Sequence, residues 1–324
     1  MKAAICHAFG KPEVLAIEDW PQPEAREGEV IVRVRSAGVN YADLVVIAGQ
    51  YQMKFEPPFV PGMEIAGEIA SLGPGVSGWS VGDRVAGLID GGGYAEYVAT
   101  PVKRLFRVPD GLGVDVAAGT FINYATAYGA LHWRARVVKG ETVLVLGGAG
   151  GVGLAAIALA RQAGARVIGA ASSAERCALM ASLGAQDTID YGSTSLRDRV
   201  AELTGKRGAD IIIDPVGGDM GGLALRCIAW SGRIVTLGFP AGSVPSYPAN
   251  ILLVKNAAAL GMFFGSYLQH APDLVREAIS SIQSALVDGS LPTYRIEAFA
   301  IDSLSDVLRD LQGRRFTGKA VVSF

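Results

Sequence analysis

The stretch VLVLGGAGGVGLAAIALARQAGARVIGAA, residues 143–171, carries five glycines within seven positions, between an apolar run and a helical pattern. Gly148, Gly150 and Gly153 satisfy G-x-G-x-x-G, and Gly151 and Val152 open the helix behind them. A glycine-rich turn after a strand brings backbone N–H groups close to an anion at a helix N-terminus, where the helix dipole also favours negative charge. The chemistry this predicts is capture of a dinucleotide pyrophosphate. A tight turn without a ligand, or a membrane span, are the competing readings. A span needs about 20 apolar residues; this run is shorter, is rich in glycine and is closed by Glu141 and Arg161.

In the usual NAD site an acidic residue about 20 residues further on binds the adenosine ribose. Here that place holds Ala171, Ser172 and Ser173, with Arg176 one turn on. Small hydroxyl residues leave room for a 2′-phosphate and can donate to it, so the spacing favours NADPH over NADH. Glu175 offers a competing ribose contact, but Ser172 and Glu175 also have capping-box spacing, and the cap is the preferred reading.

The elements that must position these residues keep a regular beat. TVLVLG at 142–147, RVIGAA at 166–171, DTIDY, ADIIIDPVGG, GRIVTLG and AALGMFF read as strands. A helical pattern at about 151–163 and the segments SAERCALMASLGA, SLRDRVAELTG and GGLALRCIAW separate most of them. Alternation of apolar strands with helices predicts an α/β domain, a parallel sheet covered on both faces. Before residue 120 the texture changes to short alternating strands, EVIVRVRSAG, EIAGEIASLG, DRVAGLI and GYAEYVAT, divided by Gly and Pro turns. That predicts an antiparallel β domain. After residue 265 a helix, APDLVREAISSIQSAL, leads to a strand-rich tail without obvious partners of its own, which is expected to return to the first domain. The expected organisation is 1–122, 123–265 and 266–324.

Composition sets the limits. Of 324 residues half are apolar, enough for two packed cores, and 29 basic against 31 acidic residues leave a formal charge of −2. That balance provides no electrostatic footprint for nucleic acid or anionic lipid. Acidic residues early in the chain interrupt any signal-like apolar core, so a cytoplasmic address is expected. Three widely spaced cysteines, Cys6, Cys177 and Cys227, do not form a disulfide framework and fit a reducing compartment.

Across nearly its whole length the chain resembles the zinc-independent medium-chain dehydrogenase/reductases, in the quinone oxidoreductase (zeta-crystallin-like) family. The resemblance is carried by KPEVLAIED, RVRSAGVNYADLVVIAGQY, PFVPGMEIAGEIASLGPGV, VGDRV, GGYAEY, INYATAYGAL, GGAGGVG, DPVGGD, GRIVTLG and FTGKAVV. It implies a GroES-like β domain interrupted by a Rossmann domain, with cofactor and substrate in the cleft between them. It also implies a homodimer built by the edge of the last Rossmann strand, VKNAAALGMFFG.

Zinc-using relatives have Cys where this chain has Asn40 and His where it has Met63, and their third ligand falls near Ile122. None of these three is a usual zinc ligand, and three cysteines cannot build a four-Cys structural site. No metal is expected. Without a Lewis acid the chemistry must suit hydride transfer alone, and quinones and enones accept hydride because the developing charge spreads onto a conjugated oxygen.

By resemblance Asn40, Tyr41, Asp43 and Tyr51 lie near the substrate, with Tyr51 the candidate donor or proton relay and Asn40 the candidate orienter. A turn for Asn40, a helix cap for Asp43 and pocket wall for Tyr51 are the plain alternatives. Thr126 matches the residue that holds the nicotinamide end, and Tyr191 joins Ser172, Ser173 and Arg176 near the 2′-phosphate. Gly238, Phe239 and Phe264 are expected to border the cofactor and Lys319 to close the cleft, while Phe263, Phe264 and Tyr267 line the substrate side. The expected activity is NADPH-dependent reduction of a small-molecule quinone or enone. Reduction of enoyl thioesters, or a non-enzymatic NADPH-binding role in structure or RNA binding, are the alternatives.

Overall fold

The computed structural model describes residues 1–324 and divides into two compact units, Met1–Ile122 with Arg295–Phe324, and Asn123–Tyr294.

Unit 1 is built on a seven-stranded sheet. Its main path runs Ile296–Ala300, Lys319–Ser323, Glu29–Gly38, Glu64–Leu72, Arg84–Leu88 and Leu105–Arg107, and Tyr97–Pro101 pairs with Glu29–Gly38. Period-2 alternation sets the faces: Val30, Val32 and Val34 enter the core, while Arg33 and Arg35 stay outside it. The C-terminal strand Lys319–Ser323 pairs antiparallel with Glu29–Gly38, through Val321 opposite Gly38, so the tail does return to the first unit. It also brings its own partner, since Ile296–Ala300 lies parallel to Lys319–Ser323.

Unit 2 carries a six-stranded, all-parallel sheet in the order Asp187–Asp190, Arg166–Ala171, Thr142–Leu146, Ala209–Asp214, Ile228–Thr236, Ala258–Gly261. In chain order that is 3-2-1-4-5-6, the doubly wound dinucleotide-binding topology. Every residue of Thr142–Leu146 is buried, as a central strand covered on both faces requires.

Three local expectations change. The second domain boundary, expected at 265/266, falls inside unit 2, which continues to Tyr294. The helix Pro272–Val287 buries Val275, Ile279, Ile282 and Leu286, and at roughly 1.5–3 kcal/mol per buried side chain that stripe holds it in unit 2. Tyr124 Oη donates to Pro292 O at 2.5 Å and Asn123 Nδ2 to Tyr294 Oη at 2.9 Å, which fastens the end of the segment. GGLALRCIAW is not one helix: Gly218–Ala224 and a short 3-10 turn are followed at Ile228 by the fifth strand of the sheet, because Ile228 and Ala229 are claimed by the core. AALGMFF is strand only through Gly261, and Phe264 starts the helix Phe264–His270. No helix is long and apolar enough to cross a membrane.

Candidate active site

The glycine turn of unit 2 leaves the buried strand Thr142–Leu146 and enters the helix Gly151–Gln162, with Gly150 as its N-cap. The first intrahelical bond is Leu154 N–H to Gly150 O at 2.8 Å, so the amides of Gly151, Val152 and Gly153 precede the ladder. Each glycine has its own reason. A Cβ on Gly153 would meet Gly147 O at 2.5 Å and Gly148 Cα at 2.7 Å, so this residue lets helix and turn pack closely. A Cβ on Gly148 would strike Met180 Sδ. A Cβ on Gly150 would meet only Gly147 O, at 3.4 Å, and otherwise faces open space. That combination, a tight third glycine and an open second one ahead of a helix N-terminus, fits a pyrophosphate. Gly147, at φ +54, packs against Val216 of the turn after the fourth strand, so the turn lies where the strand order reverses.

At the end of the second strand Ser172 is exposed and no carboxylate takes the ribose-binding place. Arg176 Nη1 lies 3.4 Å from Ser172 Oγ. Tyr191 N–H donates to Ala171 O at 2.9 Å, which brings Tyr191 beside Ser172. The expected capping box moves by one residue: Ser173, not Ser172, is the N-cap of Ala174–Ser182, its Oγ accepting from Arg176 N–H at 3.4 Å. Ser173 thus serves the helix, Glu175 lies outside the cap, and Ser172 keeps its hydroxyl beside Arg176.

Gly238 and Phe239 follow the fifth strand. They are held by a device that sequence reasoning missed: Asp214, buried, accepts from Val216 N–H and Gly217 N–H at 2.9 Å and from Tyr247 Oη at 3.2 Å. Burial pushes the Asp214 carboxyl up and these donors oppose the rise. Leu237 N–H donates to Asp214 O and Ala241 N–H to Val216 O, locking the 238–241 loop to the turn DPVGG. Gly217, at φ +71, faces Phe239 so closely that a Cβ would meet its ring at 2.8 Å. The aspartate ending an apolar strand before Pro-x-Gly-Gly was the available signal.

Other expected residues of unit 2 separate. Thr126 is half-buried in the helix Val114–Tyr128. Phe239 and Phe263 are exposed, whereas Phe264 is buried and belongs to the core rather than to a cofactor surface. Tyr267 stacks on Trp133 at 4.7 Å between ring centroids.

In unit 1 three of the expected residues, Asn40, Asp43 and Lys319, belong to one buried network. Asn40 caps the helix Tyr41–Ile47, and Asp43 Oδ2 accepts Asn40 N–H at 2.7 Å, so the capping role for Asp43 is real. Tyr94 Oη donates to the same oxygen at 2.6 Å. Asn40 Oδ1 accepts from Lys319 Nζ at 2.6 Å, and Asn40 Nδ2 donates to Glu64 Oε2 at 3.0 Å and to Gly38 O at 3.3 Å. Lys319 Nζ also lies 3.0 Å from Glu64 Oε2, and Glu64 Oε1 accepts Ile122 N–H at 2.8 Å. Both amide hydrogens of Asn40 are therefore engaged, which leaves it no donor to orient a substrate. The ammonium of Lys319 is buried between Asn40 and Glu64, so it holds the network rather than closing a cleft. Gly38 is required here, because a Cβ would strike both Glu64 and Ala118 O. Glu64 and Tyr94 were missed, although a glutamate opening the apolar strand EIAGEIA is a visible signal.

Two of the places expected to match ligands of zinc-using relatives, Asn40 and Ile122, thus meet at the Glu64–Lys319 ion pair. No group of three or more His, Cys, Asp or Glu side chains is arranged to hold a metal ion. Tyr41 packs on the core of unit 1. Tyr51 is half-buried, and burial together with the charges of Asp43 and Asp90 pushes its phenol up to about 12, so it stays protonated and able to donate.

These two sites, a dinucleotide turn on a 3-2-1-4-5-6 sheet and a buried polar network on a GroES-like sheet, define a medium-chain dehydrogenase/reductase. The comparisons agree. Residues 26–110 match the alcohol dehydrogenase GroES-like domain and residues 151–284 the zinc-binding dehydrogenase domain. The chain is 41% identical to a quinone oxidoreductase-like protein 2 homolog of Nematostella vectensis, over 99% of this chain and 88% of that protein. Its fold matches a quinone oxidoreductase of Pseudomonas syringae at TM-score 0.94, with 30% identity over 100% and 99% of the two chains. It also matches the quinone oxidoreductase of Escherichia coli complexed with NADPH at TM-score 0.93, with 25% identity over the whole of both chains. The chain belongs to the zinc-independent medium-chain dehydrogenase/reductases, in the quinone oxidoreductase family. It is an oxidoreductase that binds a nicotinamide dinucleotide.

Proposed function

We propose that the protein is an NADPH-dependent reductase of quinones and other conjugated carbonyl compounds that works without a metal. The observation that carries the cofactor choice is Arg176 beside Ser172 at the end of the second strand, a cation and a hydroxyl where an NAD site would have a carboxylate. The names of the relatives support the acceptor class.

In this reading Gly150, Gly151, Val152 and Gly153 hold the pyrophosphate, Ser172, Arg176 and Tyr191 the 2′-phosphate, and Thr126 the nicotinamide end. Bound there, the reduced nicotinamide supplies a hydride. The chain's own task is to hold the acceptor, exclude water and offer a donor where negative charge develops on its oxygen. Tyr51 is that donor. Asn40, Asp43, Glu64 and Lys319 fix the start of the helix Tyr41–Ile47, which leads to the loop carrying Tyr51. The acceptor is a small molecule, neither nucleic acid nor membrane, and the setting is the cytoplasm. The protein is a homodimer through the strand Ala258–Gly261, the outermost of its parallel sheet, beside which Leu253 and Val254 are 78% and 74% exposed.

Titration with NADPH and NADH, followed by turnover with a quinone, an enone and an enoyl thioester, tests the reading. Tighter NADPH binding with quinone and enone reduction is the expected result. Preference for NADH, or turnover confined to the thioester, would overturn it.

A further inference from the structure

Gly151, in the dinucleotide turn of unit 2, has a neighbour that the glycine fingerprint does not account for. G-x-G-x-x-G requires Gly148, Gly150 and Gly153 and leaves position 151 open to other residues. Here a Cβ on Gly151 would strike Asn123 Nδ2 and lie 2.9 Å from Asn123 Cγ and 3.1 Å from Oδ1. The carboxamide of Asn123 therefore packs against the first residue of the helix Gly151–Gln162.

Asn123 is 4% exposed, and its side chain makes one hydrogen bond, from Nδ2 to Tyr294 Oη at 2.9 Å. Tyr294 is itself fixed, since its ring stacks on Tyr124 at 5.8 Å between centroids and Tyr124 Oη is tied to Pro292 O. The carboxamide is thus held in one orientation, while Oδ1 accepts no hydrogen bond from the chain. Polar atoms of a residue so deeply set are normally paired, so an acceptor left open at a helix N-terminus calls for a donor from outside the fold. From this contact and this open oxygen we infer that Asn123 is a cofactor-binding residue: Oδ1 accepts from a hydroxyl of the nicotinamide-side ribose, and Tyr294 holds it in place to do so.

The inference rests on the reading of the glycine turn as the pyrophosphate site and of Thr126 as the nicotinamide end. Chemistry selects the group. A pyrophosphate offers acceptors alone, which cannot pair with Oδ1, whereas the riboses on either side of it carry hydroxyl donors. The adenosine ribose belongs to the end of the second strand, beside Ser172 and Arg176. Asn123 comes instead from the helix Val114–Tyr128, where it and Thr126 stand three residues apart on one face. That face meets the pyrophosphate turn at Gly151 and the nicotinamide end at Thr126, and the ribose joining those two moieties is the nicotinamide-side one. A neutral carboxamide also suits the place, because a carboxylate there would bring a second negative charge against the pyrophosphate.

Titration calorimetry on the full chain tests this with three ligands of increasing length: 2′-phospho-ADP, which ends at the pyrophosphate, 2′-phospho-ADP-ribose, which adds the second ribose, and NADPH. Asn123→Ala should bind the last two about 3–10-fold more weakly, the value of one neutral hydrogen bond, and 2′-phospho-ADP as wild type does. Equal losses for all three ligands would make Asn123 a support of the pyrophosphate turn and overturn the inference, as would unchanged affinity for all three. If Asn123→Ala does not fold, Tyr294→Phe removes the anchor and leaves the carboxamide. It should weaken the two ribose-bearing ligands and spare the shorter one, and any other pattern overturns the inference. Wild type that prefers NADH overturns the NADPH reading alone, and ADP-ribose against ADP then tests Asn123 in the same way. Wild type that binds no dinucleotide overturns both.

Discussion

Lys319 Nζ and Glu64 Oε2 form an ion pair 3.0 Å long whose side chains are 4% and 1% exposed, between residues 255 apart in the chain. The pair ties the C-terminal strand to the strand Glu64–Leu72 and, through Asn40 and Ile122 N–H, to two helices. Removing one partner of a buried pair leaves an unpaired buried charge, which costs more than the pair contributes. Lys319→Met should therefore lower stability by about 3–5 kcal/mol in urea titration, with NADPH affinity hardly altered. A large loss of affinity with unchanged stability would return Lys319 to the cofactor.

Two glycines of the turn should separate folding from binding. Gly153→Ala forces a Cβ onto backbone atoms of Gly147 and Gly148, and overpacking of this kind costs about 1–3 kcal/mol. Gly150→Ala meets only ordinary contact distance. It should fold as wild type and bind NADPH poorly, because its methyl group enters the space expected for the pyrophosphate. Thermal melts with and without NADPH read both effects, and full NADPH stabilisation of Gly150→Ala would move the pyrophosphate elsewhere.

At the 2′ end, Arg176→Ala should weaken NADPH by about 10–100-fold, the value of a charge-assisted hydrogen bond. NADH, which lacks the phosphate, should lose little. Ser172→Asp added to it should reverse the preference by placing a carboxylate where a ribose hydroxyl can bind. Equal losses for both cofactors would show that Arg176 supports the fold instead.

Asp43 predicts a pH dependence of stability with a definite sign. Its carboxyl rises from an ordinary 3.8 to about 6 in the folded protein, chiefly by burial. Between those values the folded state binds more protons than the unfolded state, so stability falls as pH rises. The contribution is fully present below 3.8 and is lost as pH passes about 6, a change of about 3 kcal/mol. Asp43→Asn should abolish that fall, so its stability relative to wild type should rise by this amount from about pH 4 to pH 8. A constant difference across the range would show an Asp43 that titrates as it does in the unfolded chain.

Chelation should change nothing. Asn40 has its amide engaged, and neither Met63 nor Ile122 is a usual zinc ligand. Prolonged dialysis against a strong chelator should leave turnover and melting temperature as they were. Stoichiometric zinc lost together with activity would contradict the reading.

The dinucleotide turn was legible because its signal is local. Strand, glycines and helix are contiguous, and the requirement for Gly153 follows from a contact with residues five and six positions earlier. The parallel sheet was legible for a similar reason, since buried parallel strands announce themselves as continuous apolar runs such as Val143–Leu146. The cap of the helix Ala174–Ser182 was misplaced by one residue, because Ser172 and Ser173 both suit the role and only the path of the chain after Ala171 chooses between them.

The unit 1 network lies at the other extreme. Asn40, Glu64, Tyr94, Ile122 and Lys319 occupy five separate segments, and no spacing within any of them announces that they meet. The sequence determined that each has a polar group to satisfy. Strand pairing across the sheet, Val321 against Gly38 and Ala37 against Ile65, decided which group satisfies which. That pairing turned Asn40 from a free amide into a saturated one and Lys319 from a cleft residue into a buried counter-ion. Composition fixes what a side chain can donate or accept, whereas burial and distance, which belong to the tertiary structure, decide whether any of that capacity is left for a ligand.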